Sequence, residues 1–329
     1  MRTKLILWLV AGLMTVTGAA RAEELSAADK KAIAESNEFV KRGNEFAEKN
    51  SLPRARAEFQ KALKIFPKHL DALYNLAVVC EKLNQPDEAI ATYKRYLDVR
   101  PNDPDVWTQL GVLYDNGGQK AESQSAYEKA LAADPDFGRA HHNLGVLLHE
   151  QGQLDAAEKH LKTFLELEEK AGRRNSDAFY SLGTLRLSQG NLKEAKSLLQ
   201  KALDEDPTVT YYNNAMGDVY TAGQEYGAAL VCYQKAVAKD EKYAPAYSGM
   251  GDAYRLNKEP AKARQAYEKA LQLRPDYHLV HFKMGLLFEE TDVVAAIKHF
   301  QTYLASGKSP QFQEEAKARV EKLKQPKKQ

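Results

Sequence analysis

Apolar residues fall at helical intervals along this chain, and the intervals themselves recur. In "WTQLGVLYDNGGQKAESQSAYEKALAADPDF" (residues 107–137), Trp107, Leu110 and Tyr114 stand three and four apart around Gly111, which predicts an amphipathic helix. "NGG" then breaks the pattern. "AESQSAYEKALAADP" predicts a second helix, rich in good helix formers and halted by Pro135.

The same pattern occurs eight times. A small residue follows an apolar one at Gly43, Ala77, Gly111, Gly145, Gly183, Gly217, Gly251 and Gly285, with spacings of 34, 34, 34, 38, 34, 34 and 34. Sixteen residues after the first seven stands a bulky apolar residue: Phe59, Tyr93, Tyr127, Leu161, Leu199, Tyr233 and Tyr267. Twelve after stands alanine, with Ser123 the small exception, and twenty-four after, in five units, proline (Pro67, Pro101, Pro135, Pro207, Pro275). The register predicts an all-α chain of helix pairs. Small side chains let paired backbones approach closely, and the bulky residue fills the adjacent gap.

An aromatic, Leu-Gly, Tyr, Ala, Tyr, Ala and Pro at these offsets in a 34-residue period resemble the tetratricopeptide repeat (TPR), over about residues 36–308. The resemblance implies a right-handed superhelical solenoid of about eight TPR-like helix pairs, with a concave inner face that binds other proteins. The units lie near 36–69, 70–103, 104–137, 138–175, 176–209, 210–243, 244–277 and 278–308. Residues 309–329 are expected to form a capping helix to about Lys324 and a basic tail, because the last apolar face of a repeat array must be covered. Three units depart from the pattern. The fourth has Glu169 for proline and an insertion, "KAGRRN", expected to be a longer loop and a flex point. The sixth has Asn213 in an aromatic position and Glu241 for proline, and the eighth is one residue short between its helices.

The resemblance places the first helix of each unit on the inner face. Residues three before, one after and four after the small residue then form its lining, a stripe separate from the one that packs on the second helix. The candidate groove residues are Tyr74, Val78, Val112, His142, Val146, His149, Tyr180, Thr184 and Leu187, followed by Asp218, Asp252 and Arg255. An apolar patch ringed by polar residues suits an apolar or aromatic partner segment, with a basic flank towards the acids. The bland alternative is that a tight superhelix partly buries its own inner face.

Some family members clamp acidic C-terminal tails with lysines, asparagines and an arginine, and Asn44 and Asn75 resemble two parts of that clamp. Val40 stands where a lysine belongs, and Asp105 and Gln109 where positive side chains are needed, so that activity is not expected.

Composition changes the picture at the N-terminus. Arg2 and Lys4, an uncharged run from Leu5 to Ala20, and Ala20-Arg21-Ala22 describe a secretory signal peptide, residues 1–22, with cleavage after Ala22. That places the protein in the periplasm or cell envelope. The competing reading is an uncleaved membrane anchor. The whole chain has 47 basic and 45 acidic residues; without residues 1–22 it has 44 and 45, so nothing in the balance asks for nucleic acid. Cys80 and Cys232 fall at packing positions four units apart, too far to bond, and are expected as buried thiols.

No chemistry assembles. "SGKS" (306–309) resembles the end of a phosphate loop, yet Thr302 replaces its leading glycine; Gly307 as a helix C-cap and Ser309 as the next N-cap explain it better. His142 and His149, about 10 Å apart along one helix, cannot share an ion unaided. His141 and His160, and likewise His278 and His281, complete no ligand set. No catalytic residue, cofactor or metal is expected. The reading is a non-enzymatic scaffold or adaptor that captures a protein or peptide. A self-associating homo-oligomeric scaffold and a membrane-anchored assembly factor of an envelope secretion or motility complex are the alternatives.

Overall fold

The computed structural model describes residues 27–307 and 312–325, so the signal segment and Ser309 lie outside the described residues. Within them the chain is all-α, with seventeen helices. The first pair is α1 (Ala27–Glu48) and α2 (Leu52–Ile65), and the second α3 (Leu70–Lys82) and α4 (Pro86–Val99). Then follow α5 (Pro104–Asn116) and α6 (Lys120–Ala133), α7 (Gly138–Glu150) and α8 (Leu154–Lys170), and α9 (Ser176–Ser188) and α10 (Leu192–Glu205). The last three pairs are α11 (Thr210–Ala222) and α12 (Tyr226–Lys239), α13 (Ala244–Leu256) and α14 (Pro260–Leu273), and α15 (His278–Phe288) and α16 (Val293–Ser306). The single helix α17 (Gln313–Lys324) closes the series. No described helix is long and apolar enough to cross a membrane.

The chain divides into two compact units, α1–α4 and α5–α17. In each, the two helices of a pair pack together, and first helices also touch the first helix of the next pair: α1 on α3, and in the larger unit α5 on α7, α7 on α9, α9 on α11, α11 on α13 and α13 on α15. The expected eight pairs and terminal cap are all present.

Each pair is locked where the small residue meets the bulky one. A Cβ added to Gly111 would lie 2.4 Å from Tyr127, one on Gly145 2.7 Å from Leu161, and one on Gly251 2.4 Å from Tyr267. The bulky partners Phe59, Tyr93, Leu161, Leu199, Tyr233 and Tyr267 are buried. In the short eighth unit the partner slips one residue to Phe300, 2.5 Å from a Cβ on Gly285. Second helices stop where predicted: Phe66, Arg100, Asp134, Asp206 and Arg274 all leave helical geometry ahead of a proline, whose ring crowds the α conformation, and Asp240 does so ahead of Glu241, so the proline is not required.

Between the helices of a pair, the residue seven after the small one turns left-handed in seven units. Glycine serves at Gly118, Gly152 and Gly190, but Asn50, Asn84, Gln224 and Lys258 adopt the same positive φ. Pairing of the flanking helices imposes the turn even where the residue type resists it.

The insertion after the fourth unit leaves a loop, residues 171–175, one residue longer than the loop at 134–137. Part of the insertion lengthens α8 to 17 residues. The remainder is pinned: Arg173 donates to both oxygens of the buried Glu168 carboxylate, Asn175 donates to the same group at 2.9 Å, and Arg174 pairs with Glu205 at 3.0 Å. Cys80 and Cys232 are free and buried, as expected. Gly307 is a left-handed C-cap, as expected. The cap α17 buries Ala316 and Val320 against Phe282, Ala296, Phe300 and Tyr303.

Candidate partner-binding face

The contacts between successive first helices in the larger unit form a continuous layer, and the predicted lining residues of that unit lie on these helices. In the smaller unit, Tyr74 is half-buried with its ring edge-on to Tyr93 and Tyr96, 6.2 Å away, and Val78 is half-buried one turn on. Asn75 donates to Asn44 at 2.9 Å, so these two amides satisfy each other.

In the larger unit the lining is apolar at first. Val112 and Val146 are half-buried and rest on the cluster of Tyr127, Leu144, Leu147 and Leu161. Tyr180 and Leu187 rest likewise on the cluster around Leu199, Met216 and Val219. Thr184 is half-buried and donates to its own helix at Ser181 O, 3.0 Å. These side chains therefore have one flank in the core and one in solvent. A fully solvent-facing stripe, which would let glutamate replace valine without cost, is not what the packing shows.

Polar bridges between first helices hold the lining in register. His142 Nε2 meets Ser181 Oγ at 2.9 Å with its ring 4.8 Å from Phe164, and His149 Nε2 meets Ser188 Oγ at 2.7 Å. Tyr180 sits in a tyrosine cluster, its ring 4.8 Å from Tyr211 and 5.3 Å from Tyr212. Both partner hydroxyls donate to Asp177, at 3.0 and 2.8 Å.

Beyond the tyrosines the face changes character. Tyr233 donates to Asp218 at 2.8 Å and Tyr267 to Asp252 at 2.7 Å, the same fifteen-residue span in consecutive units. Lys283 reaches back from α15 to Asp252 at 2.5 Å and Ser248 at 2.9 Å. The expected acidic stretch is thus half neutralised. Asp252 has its own counter-ion, whereas no described cation pairs directly with Asp218, and burial lifts the Asp218 carboxyl to about 6. Asn214 donates to Asp218 at 3.0 Å while its own buried Oδ1 has no partner. Arg255, half-buried, likewise leaves Nε buried and unpartnered.

Sequence reasoning named Asn75 but missed the column to which it belongs, two residues before the small residue. Asn75, Ser181 and Lys283 stand there and supply the bridges just described, and Gly249 stands there to admit Tyr233. Periodicity within one helix carries no signal for a side chain that reaches the next helix.

Burial, which penalises the cation, depresses His69, His142, His149, His160, His281 and His299 below the ordinary histidine range. A lowered folded pKa means that the unfolded chain binds protons more readily, so this stability is complete above pH ~6.5 and is lost as pH falls below it. Asp218, raised by burial to about 6, and Glu81, also raised by burial, act oppositely and gain stability as pH falls through their folded values. Six groups lose stability over this interval and two gain it, so the histidines set the expected direction. Urea midpoints are expected to be level above pH 7 and to drop between pH 6.5 and 5, and a midpoint that rises over that interval would contradict the burial of these rings.

Helix pairs in repeated register, small-to-large locks and first helices in mutual contact define an α-helical repeat scaffold. Tetratricopeptide-repeat family models match residues 46–111, 104–137, 136–204 and 244–277, and a TPR-repeat model matches 217–258. The chain belongs to the tetratricopeptide repeat family. A search of curated proteins finds no match. Among solved structures, a tetratricopeptide repeat protein from Parabacteroides merdae is similar at 19% identity and TM-score 0.66, over 78% of this chain and 99% of that one. A chain of the APC/C hetero-tetramer Cut9–Hcn1 is similar at 19% and 0.62, over 87% and 55%. PilW, a type IV pilus biogenesis factor, is similar at 24% and 0.54, over 64% and 94%. At these identities the likeness is one of fold.

Proposed function

We propose that the first-helix face of the larger unit captures an extended segment of a protein partner in the bacterial cell envelope, without catalysis. One observation carries this reading. Val112, Val146, Tyr180 and Leu187 stay half exposed in sequence along a single face, whereas the residues that lock the pairs, Tyr127, Leu161, Leu199 and Tyr233, are buried. An apolar or aromatic stretch of the partner covers these four, with His142, His149 and Thr184 beside them. One cationic side chain of the partner meets Asp218, the carboxylate without a direct counter-ion. The basic flank expected from sequence shrinks to this single charge, because Lys283 already occupies Asp252. Export rests on the signal segment, residues 1–22. PilW's role in pilus biogenesis supports a second reading, an assembly factor for an envelope motility complex.

The test is a photo-crosslinking amino acid at Thr184, compared with one at the exposed Lys159 on α8. Discrete adducts from the exported compartment are expected at Thr184 and not at Lys159. Equal labelling at both positions, or none at either, sinks the reading. Adducts composed only of this chain would favour the self-associating scaffold.

A further inference from the structure

Two histidine pairs lie away from the lining face, each joining the first and second helix of one unit. His141 on α7 and His160 on α8 bring their Nδ1 atoms to 2.9 Å, and His281 on α15 and His299 on α16 bring theirs to 3.0 Å. The spans are 19 and 18 residues, which is the same register once the residue missing from the eighth unit is counted. In the other six units these first-helix positions hold Phe39, Leu73, Trp107, Phe179, Asn213 and Tyr247. A carboxylate accompanies each pair from the second helix of the preceding unit. Glu128 on α6 and Glu268 on α14 each follow their unit's small residue by seventeen, and each lies close enough to favour positive charge on His160 and His299 respectively.

In the first pair, one ring is held as a metal-binding histidine would be. His141 Nε2 lies 2.9 Å from the Pro135 carbonyl, which can only accept, so Nε2 carries the proton and the neutral ring turns its Nδ1 lone pair towards His160. Anchoring the far nitrogen on a backbone carbonyl is how a metal-binding histidine is held. Phe288 stacks on His299 at 5.7 Å and 15°, fixing that plane as well. Two nitrogens 2.9–3.0 Å apart, with metal–nitrogen bonds of about 2.05 Å, subtend about 90–94° at the metal. That is the cis angle of a tetragonal centre, which suits Cu²⁺ or Ni²⁺, whereas tetrahedral zinc needs a wider bite.

We propose that each pair is a chelating site for a tetragonal divalent cation, Cu²⁺ or Ni²⁺, in which the metal replaces the shared proton and water fills the remaining positions. Among the described residues no three His, Cys, Asp or Glu side chains converge as they stand, so Glu128 or Glu268 would have to swing in to become a third ligand. His160, His281 and His299 are half-buried, which leaves a route for the ion.

The untagged full chain, titrated with Cu²⁺ in a weakly coordinating buffer, tests this by calorimetry and electron paramagnetic resonance. Two equivalents are expected, with an axial signal split by two nitrogens and a melting temperature that rises with metal. His160→Gln and His299→Gln should each bind one equivalent and the double variant none, with circular dichroism confirming that all three remain folded. Any variant that keeps the equivalent assigned to its pair overturns the proposal. So does an unsubstituted chain that binds no copper, since the pairs would then be sharing a proton and nothing more.

Discussion

Gly249→Ala is expected to lower the melting temperature by several degrees, although glycine-to-alanine inside a helix is ordinarily stabilising. The added methyl would lie 2.4 Å from Tyr233 Cε1 and 2.5 Å from Cζ. The ring has no room to retreat. A Cβ at Gly217, on α11, would also lie 2.5 Å from Cε1, and the ring's hydroxyl is held by Asp218 at 2.8 Å and Thr221 at 3.0 Å. Tyr233 therefore wedges α12 between α11 and α13, joining one pair to the next. Overpacking a site of this kind costs about 1–3 kcal/mol, or roughly 1.5 °C for each kcal/mol in a chain of this length. Gly227→Ala, on α12 itself with nothing within 4 Å of the added methyl, should instead raise stability by about 0.5–1 kcal/mol. Thermal melts of the two variants should move in opposite directions. Tyr233→Leu combined with Gly249→Ala should recover part of the loss, because leucine already fills the corresponding place at Leu161 and Leu199. A Gly249→Ala chain that melts like its parent would show that the wedge can relax.

Gly249 also marks the boundary of what the sequence makes legible. Gly217 was readable as a close-contact residue because its partner lies sixteen positions on in the same unit, at an offset repeated along the chain. Gly249 meets the same ring from the next unit, in a column where Lys283, Ser181 and Asn75 do unrelated work, so no period announces it. Lys258 and Gln224 make the same point for the backbone. Neither favours a left-handed conformation, yet both adopt it where Gly118 and Gly152 do, because the packed helices leave the turn no other course. In the candidate site, which residues share one stripe of each first helix is readable from spacing, but their exposure is not. Whether Val112 faces water or core depends on how closely α5 and α7 approach, and that is set by contacts between units. The histidines show the converse failure. Spacing sets His142 beside His149 and His278 beside His281 and names His141 and His160 without bringing them into contact, whereas the structure joins His141 to His160 and His281 to His299 across two helices.

The double variant Val112→Glu/Val146→Glu is expected to weaken partner capture at least about 30-fold, the effect of losing a central apolar contact worth some 2 kcal/mol at an interface. Because each valine also rests one flank on the Leu144–Leu147–Leu161 cluster, the chain should lose roughly 1 kcal/mol of stability per site as well. The half-burial that makes these residues suitable for docking also mixes the two effects, and a second variant is needed to part them. Val112→Thr/Val146→Thr keeps the shape on the core side while placing hydroxyls on a face that a partner would dry. It should melt within a few degrees of the parent and still lose much of the capture, measured on the species that crosslinks at Thr184. If the threonine pair binds as well as valine while the glutamate pair unfolds, the valines are core residues that happen to be visible, and the docking face must be sought elsewhere on the first helices.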